Sequence, residues 1–109
     1  MEGKVVLINF PQDKSGKLRP ALVLKAFPKY GDLLVCGITS KIVQAIPDFD
    51  IFLDEQHPDF VSSGLKHPGV CRLNMLTMVP AEIIVGSIGQ VSADTHQLLL
   101  NRLANFLTK

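Results

Sequence analysis

Arg19 stands directly before Pro20 at the entrance to an apolar run, RPALVLKAF, and a second apolar run, DLLVCGITSK, ends on Thr39, Ser40 and Lys41. A residue before proline is pushed toward extended geometry, and proline in a sheet belongs at a strand's first position or edge, so Arg19 is predicted at the rim of its strand. The PKYG stretch between the two runs reads as a turn, which folds them into a hairpin. If Ala26 pairs with Leu33, paired residue numbers sum to 59 and Arg19 lies opposite Ser40; a slip to 58 sets it opposite Thr39. In either register a guanidinium and a hydroxyl share one face at the open end of the hairpin, with Cβ atoms about 5 Å apart.

Such a pair suits a phosphate. The arginine fork takes two oxygens and the hydroxyl a third, while Lys14 and Lys17 in the preceding loop and Lys41 after the strand add charge. The arrangement fits RNA cleavage through the ribose 2′-hydroxyl, where charge grows on the phosphate oxygens and fixed donors stabilise it. Arginine stays protonated, so Arg19 would stabilise charge or assist the leaving group and would not serve as base. His67 is the one candidate for that role. The plain alternatives are a rim ion pair between Arg19 and Asp13 or Asp32, and a strand-end turn contact for Thr39 and Ser40.

These residues need a scaffold, and 109 residues with 47% hydrophobic content make one domain with a real core. KVVLINF, RPALVLKAF, DLLVCGITSK, DIFL, GVCRLNMLTMVP and IIVGSIGQV are strand candidates; RPALVLKAF and DLLVCGITSK are apolar nearly throughout, as strands of a small barrel buried on both faces would be. DEQHPDFVSSGLKHPG reads as a long polar connection. At the end the period changes: Ser92 is a candidate N-cap, Asp94 lies in the first turn, and Leu99, Leu103, Phe106 and Leu107 fall at helical spacing. The expected class is therefore mainly β, a small barrel or curled sheet with a C-terminal helix from Ala93 to near Lys109 packed on it.

No apolar run is long enough to cross a bilayer and the N-terminal stretch lacks signal-peptide features, so a soluble, cytoplasmic protein is expected. Cys36 and Cys71 lie far apart in apolar runs and read as buried reduced thiols, with no metal-ligand spacing among them and His57, His67 or His96. The net charge is only +1. Its distribution is uneven: residues 1–41 carry seven cations against three anions, while residues 42–60 carry five anions and no Lys or Arg. This reads either as a basic region beside the N-terminal strands with an acidic one elsewhere, or as two ordinary solvated faces.

GKVVLINFP, KLRPALVL, DLLVCGITSK, SGLKHPGVCRL and IGQVS before a final helix occur in an order that resembles the MazF/PemK family of toxins from bacterial toxin–antitoxin pairs, RPALVL followed by ITS being the most specific part. The resemblance covers almost the whole chain. It implies an SH3-like barrel, a homodimer with a groove between subunits, and a metal-independent endoribonuclease that needs no cofactor, cleaves RNA at short sequences and is blocked by an antitoxin. The family's catalytic arginine falls on Arg19 and its Thr or Ser on Thr39, with Ser40 beside it. Lys66 and His67 fall in a loop that faces the RNA groove in the family, and Asn74 and Met75 at groove-lining positions; with Lys17 and Lys41, Lys66 and Asn74 complete the candidate RNA-binding set. Asn74 and Met75 depart from the acidic residue and Lys or Gln common in relatives, and the loop at residues 11–18 is short for the family. Those departures motivate a second reading: a catalytically weak or inactive binding module on the same fold, gyrase-directed or regulatory.

Overall fold

The structure, a computed structural model, describes all 109 residues. Six strands, β1 (Lys4–Ile8), β2 (Arg19–Ala26), β3 (Asp32–Thr39), β4 (Ile51–Leu53), β5 (Gly69–Pro80) and β6 (Gly86–Gln90), form one antiparallel sheet in the order β4-β5-β3-β2-β1-β6. The sheet curls into a half-barrel without a ladder between β4 and β6. A one-turn helix, α1 (Phe60–Ser63), packs on β6, and a 16-residue helix, α2 (Ala93–Thr108), closes the chain.

Both faces of the central strands are covered, as their unbroken apolar sequences require. Val5, Leu22, Leu24, Cys36, Cys71 and Leu73 pack with Leu99 and Leu103 of α2, and Val6, Ile8, Ala21, Val23, Val35 and Val79 form a second cluster against Ile83 and Ile84. Burying Leu99 and Leu103 stabilises the docked helix by roughly 1.5–3 kcal/mol per side chain. The helix starts where its cap predicts: Ser92 Oγ accepts from the Thr95 N–H at 3.2 Å, and Asp59 accepts from both the backbone N–H and the hydroxyl of Ser92 at 3.0 Å.

Two expectations need correction. Phe106 and Leu107 were predicted on the buried face of the helix but are 52% and 68% exposed. The helix has run past the core by that point, and Phe106 meets the Phe49 ring, at a centroid distance of 5.4 Å, and the Lys109 ammonium. The polar stretch before β5 is not all loop, since it contains α1. Close packing there depends on glycine: a Cβ at Gly64 would collide with the Ile88 carbonyl, and one at Gly89 with the Ser62 carbonyl. Ser62 Oγ then donates to Gln90 O at 2.9 Å.

Two register shifts shape the sheet. Between β2 and β3 the pairs Ala26↔Leu33 and Lys25↔Leu34 follow the sum of 59, and from Val23↔Val35 onward the sum is 58. Leu24 is the extra residue, and its carbonyl accepts from His96 Nε2 at 2.6 Å, which fixes the proton on that ring nitrogen. Continuing the second register to the strand ends sets Arg19 opposite Thr39. Between β3 and β5 the shift is larger: Cys36 pairs with Leu76 and Ile38 with Cys71, so Gly37 alone faces the four residues Arg72–Met75.

Candidate functional site

The open end of the β2–β3 hairpin, the loop before β2, the loop before β5 and the wide bulge of β5 enclose a cleft of about 960 Å³. Arg19, Thr39, Ser40, Lys41, Lys66, His67 and Asn74 all line it. Lys17 does not line it: its N–H is bound to Ser15 Oγ at 3.2 Å, and the residue is exposed.

The lip is built locally. Asp13 N–H bonds back to Phe10 O at 2.9 Å, and the Asp13 carboxylate accepts from Ser15 N–H at 2.9 Å, so the short loop folds into consecutive turns. That places Asp13 Oδ2 3.3 Å from Arg19 Nε. Hydrogen bonding by Ser15, from its side chain and its backbone, and then by Arg19 holds the Asp13 carboxyl below its ordinary range. The pair is the rim contact foreseen among the plain alternatives, but the Arg19 side chain remains 51% exposed and its two terminal nitrogens carry no partner. An ion pair so open to water is worth about 0–1 kcal/mol. It holds the guanidinium by its side edge and leaves the end-on fork free for a bidentate anion.

Thr39 is the second donor of the lip. Its Oγ1 accepts from Lys41 N–H at 3.1 Å, so the hydroxyl proton is left to donate elsewhere. Arg19 and Thr39 therefore face one cleft, Arg19 with its two terminal nitrogens free and Thr39 with its hydroxyl proton free.

The floor is built over distance. Arg72, Asn74, Met75, Leu76 and Thr77 all line the cleft, although strict alternation would send neighbours to opposite faces. The bulge at residues 72–75 breaks that alternation and brings the neighbours Asn74 and Met75 to the same cleft. Met75 folds over Gly37, where an added Cβ would stand 2.6 Å from Met75 Cε, while Leu73 turns into the core at 2% exposure. Arg72 Nη1 donates to Gln44 Oε1 at 3.1 Å, and Arg72 Nε is buried with no partner in the protein. Asp50, 8% exposed, bridges the region: Oδ1 accepts from Leu73 N–H at 3.0 Å and Oδ2 from Ile46 N–H at 2.9 Å. Each such hydrogen bond to a carboxylate contributes roughly 1.5–3 kcal/mol.

Charge is the property that the whole-chain total hides. Arg19, Lys41, Lys66 and Arg72 line the cleft against one carboxylate, Asp13, which is already paired. The acidic stretch is partly internal, since Asp50 and Asp59 are buried acceptors of backbone N–H groups. The two thiols are buried as expected; burial, with Asp50 adding its charge, pushes Cys36 up to about 12 and Cys71 well above its ordinary value. Neither is a nucleophile. Arg72 and Gln44 were not singled out from sequence as site residues; the cue, a polar pair flanking apolar strands, is too common to pick them out.

The architecture is a curled antiparallel half-barrel with a C-terminal helix and a basic cleft at one lip. The sequence profile described as PemK-like, MazF-like toxin of type II toxin–antitoxin systems matches residues 1–107, and the chain belongs to that family. Among solved structures, the Mycobacterium tuberculosis toxin MazF-mt6 superposes with a TM-score of 0.70 at 19% identity, over 95% of each chain. An endoribonuclease in complex with its cognate antitoxin from Mycobacterial species superposes with a TM-score of 0.70 at 13% identity, over 98% of this chain and 93% of that one. At such identities the likeness establishes the fold. No curated protein sequence matches the chain at a significant level.

Proposed function

We propose that the protein is a toxin endoribonuclease that cleaves single-stranded RNA in this cleft and is neutralised by an antitoxin that covers it. The observation that carries the reading is the pairing of an uncommitted arginine fork with an uncommitted hydroxyl on the lip of a cleft lined by four cationic side chains. In the reaction the 2′-oxygen attacks phosphorus, the bond to the 5′-oxygen breaks, and the products are a 2′,3′-cyclic phosphate and a 5′-hydroxyl. The 2′-hydroxyl proton goes to a base, for which His67 in the same cleft is the candidate, and the departing 5′-oxygen takes up a proton. Arg19 stabilises the charge on the non-bridging oxygens and Thr39 positions the phosphate. Ser40, Lys41, Lys66 and Asn74 bind the flanking strand, with Lys17 contributing only long-range charge.

Membership of a two-component toxin family, and the antitoxin complex formed by the structural neighbour, support the antitoxin as partner. We infer a homodimer as well, because one copy leaves Ile42 and Val43 exposed beside the cleft residue Lys41. No helix is long and apolar enough to cross a membrane, and buried, unpaired thiols accord with a cytoplasmic site of action. Incubation with mixed-sequence RNA in EDTA tests the catalytic reading: discrete fragments with 5′-hydroxyl ends are expected. Binding without cleavage would favour the non-catalytic module instead. Sedimentation at micromolar concentration is expected to give a dimer, and a monomer would count against that assignment.

A further inference from the structure

We propose that Asp50 is a positioning residue for the cleft: by bonding the bulge of β5 it sets how Arg72 and Asn74 meet the bound strand, and so it sets the RNA's base preference. The proposal rests on the ribonuclease reading. Asp50 lies outside the cleft lining and touches no substrate, yet it is buried and spends both carboxylate oxygens on backbone N–H groups from the two elements that flank the floor. One of them, Leu73 N–H, sits in the middle of the four-residue bulge and has no strand partner there, because Gly37 alone faces residues 72–75. The other, Ile46 N–H, follows the turn that carries Gln44, which in turn holds Arg72 Nη1. Arg102 of α2 completes the anchorage by donating to the Asp50 carbonyl at 2.9 Å. A carboxylate serves this place because both partners are donors. An amide of the same shape would turn its NH2 toward one of them.

The bulge is thus held from below by Asp50 and limited from above by Gly37, over which Met75 lies. That gives two independent handles. Asp50→Asn withdraws one bond from below, and Gly37→Ala presses a methyl onto the flexible end of Met75 from above. In each folded variant, cleavage of a random-sequence RNA pool is expected to show a changed base preference, and KM for the wild-type's preferred oligonucleotide is expected to rise about tenfold. Its kcat is expected to stay within about threefold, because Arg19 and Thr39 stand on β2 and β3. A residue that served stability alone would lower the melting temperature and leave the preference unchanged. Amide exchange at Leu73 is expected to quicken at least tenfold in Asp50→Asn, a readout that needs no RNA.

A folded Asp50→Asn or Gly37→Ala protein with the wild-type preference and KM would overturn the proposal. If Asp50→Asn does not fold, Gly37→Ala decides whether the bulge sets the preference, and slow amide exchange at Leu73 in the wild type, against fast exchange, decides whether Asp50 pins it. Wild-type protein that neither binds nor cleaves RNA would sink the ribonuclease reading, while Leu73 exchange would still report whether Asp50 pins the bulge.

Discussion

The two walls of the cleft are made in different ways. The lip, with Arg19, Asp13 and Thr39, is local: two strands joined by a five-residue turn and a loop stitched by its own side chains. The floor, with Arg72, Asn74 and Met75, depends on contacts between residues far apart in the chain, Asp50 with Leu73 and Gln44 with Arg72. The lip presents donors that are free to act, and the floor presents donors that the fold has already placed. Chemistry on a lip and selection on a floor is the division of labour that we propose.

The sharpest way to break this division is at the lip. Arg19→Ala is expected to lower kcat for RNA cleavage by about 10³-fold, the scale of losing a charge-stabilising donor, with an unchanged melting temperature. Arg19→Ala protein that cleaves at the wild-type rate would remove Arg19 from the mechanism. Thr39→Val, which keeps shape and removes the hydroxyl, should cost about 10- to 100-fold in kcat in the same assay. On the floor, Asn74→Ala should raise KM a few-fold and alter the preferred sequence while leaving kcat nearly unchanged; a loss confined to kcat would mean the two walls are not separable.

Two smaller effects lie outside the cleft. Burial alone would raise the Asp59 carboxyl, but hydrogen bonds from Thr95 and Ser92, with a lesser pull from His57, outweigh it and hold the group below its ordinary range. The folded state therefore binds that proton less readily than the unfolded chain. Its contribution to stability is present above the ordinary carboxylate range and is lost as pH falls through the lowered folded value. Asp59→Asn should accordingly destabilise the protein at pH 7 on chemical denaturation and make its stability less sensitive to acid. A mutant whose acid denaturation runs parallel to the wild type's would show that the cap contributes nothing. Smallest of all, Cys36 should resist alkylation at pH 8 in the folded protein, since burial keeps its thiol protonated, and label readily in denaturant.

The same contrast explains what could be read from sequence. Arg19 opposite Thr39 follows from a turn, a proline and a register, all within 25 residues of chain, and only the choice between two registers needed the structure; the bulge at Leu24 made it. The Ser92 cap and the Leu99–Leu103 face were legible because helix periodicity is local. Where the helix leaves the core was not, which is why Phe106 and Leu107 were misplaced. The bulge of β5 was illegible for the same reason: nothing in GVCRLNMLTMVP says that Asp50 will hold Leu73 or that Gly37 will admit Met75. Likewise a net charge of +1 conceals a basic cleft, because part of the acidic charge serves the interior.

The most direct test is a structure of the protein with an RNA oligonucleotide that carries a single 2′-deoxy nucleotide at its cleavage site, so that binding proceeds and attack cannot. The scissile phosphate is expected within hydrogen-bond distance of the Arg19 terminal nitrogens and of Thr39 Oγ1, with the flanking bases over Asn74 and Arg72. A strand bound on another face, or in the cleft with its scissile phosphate away from Arg19, would contradict this.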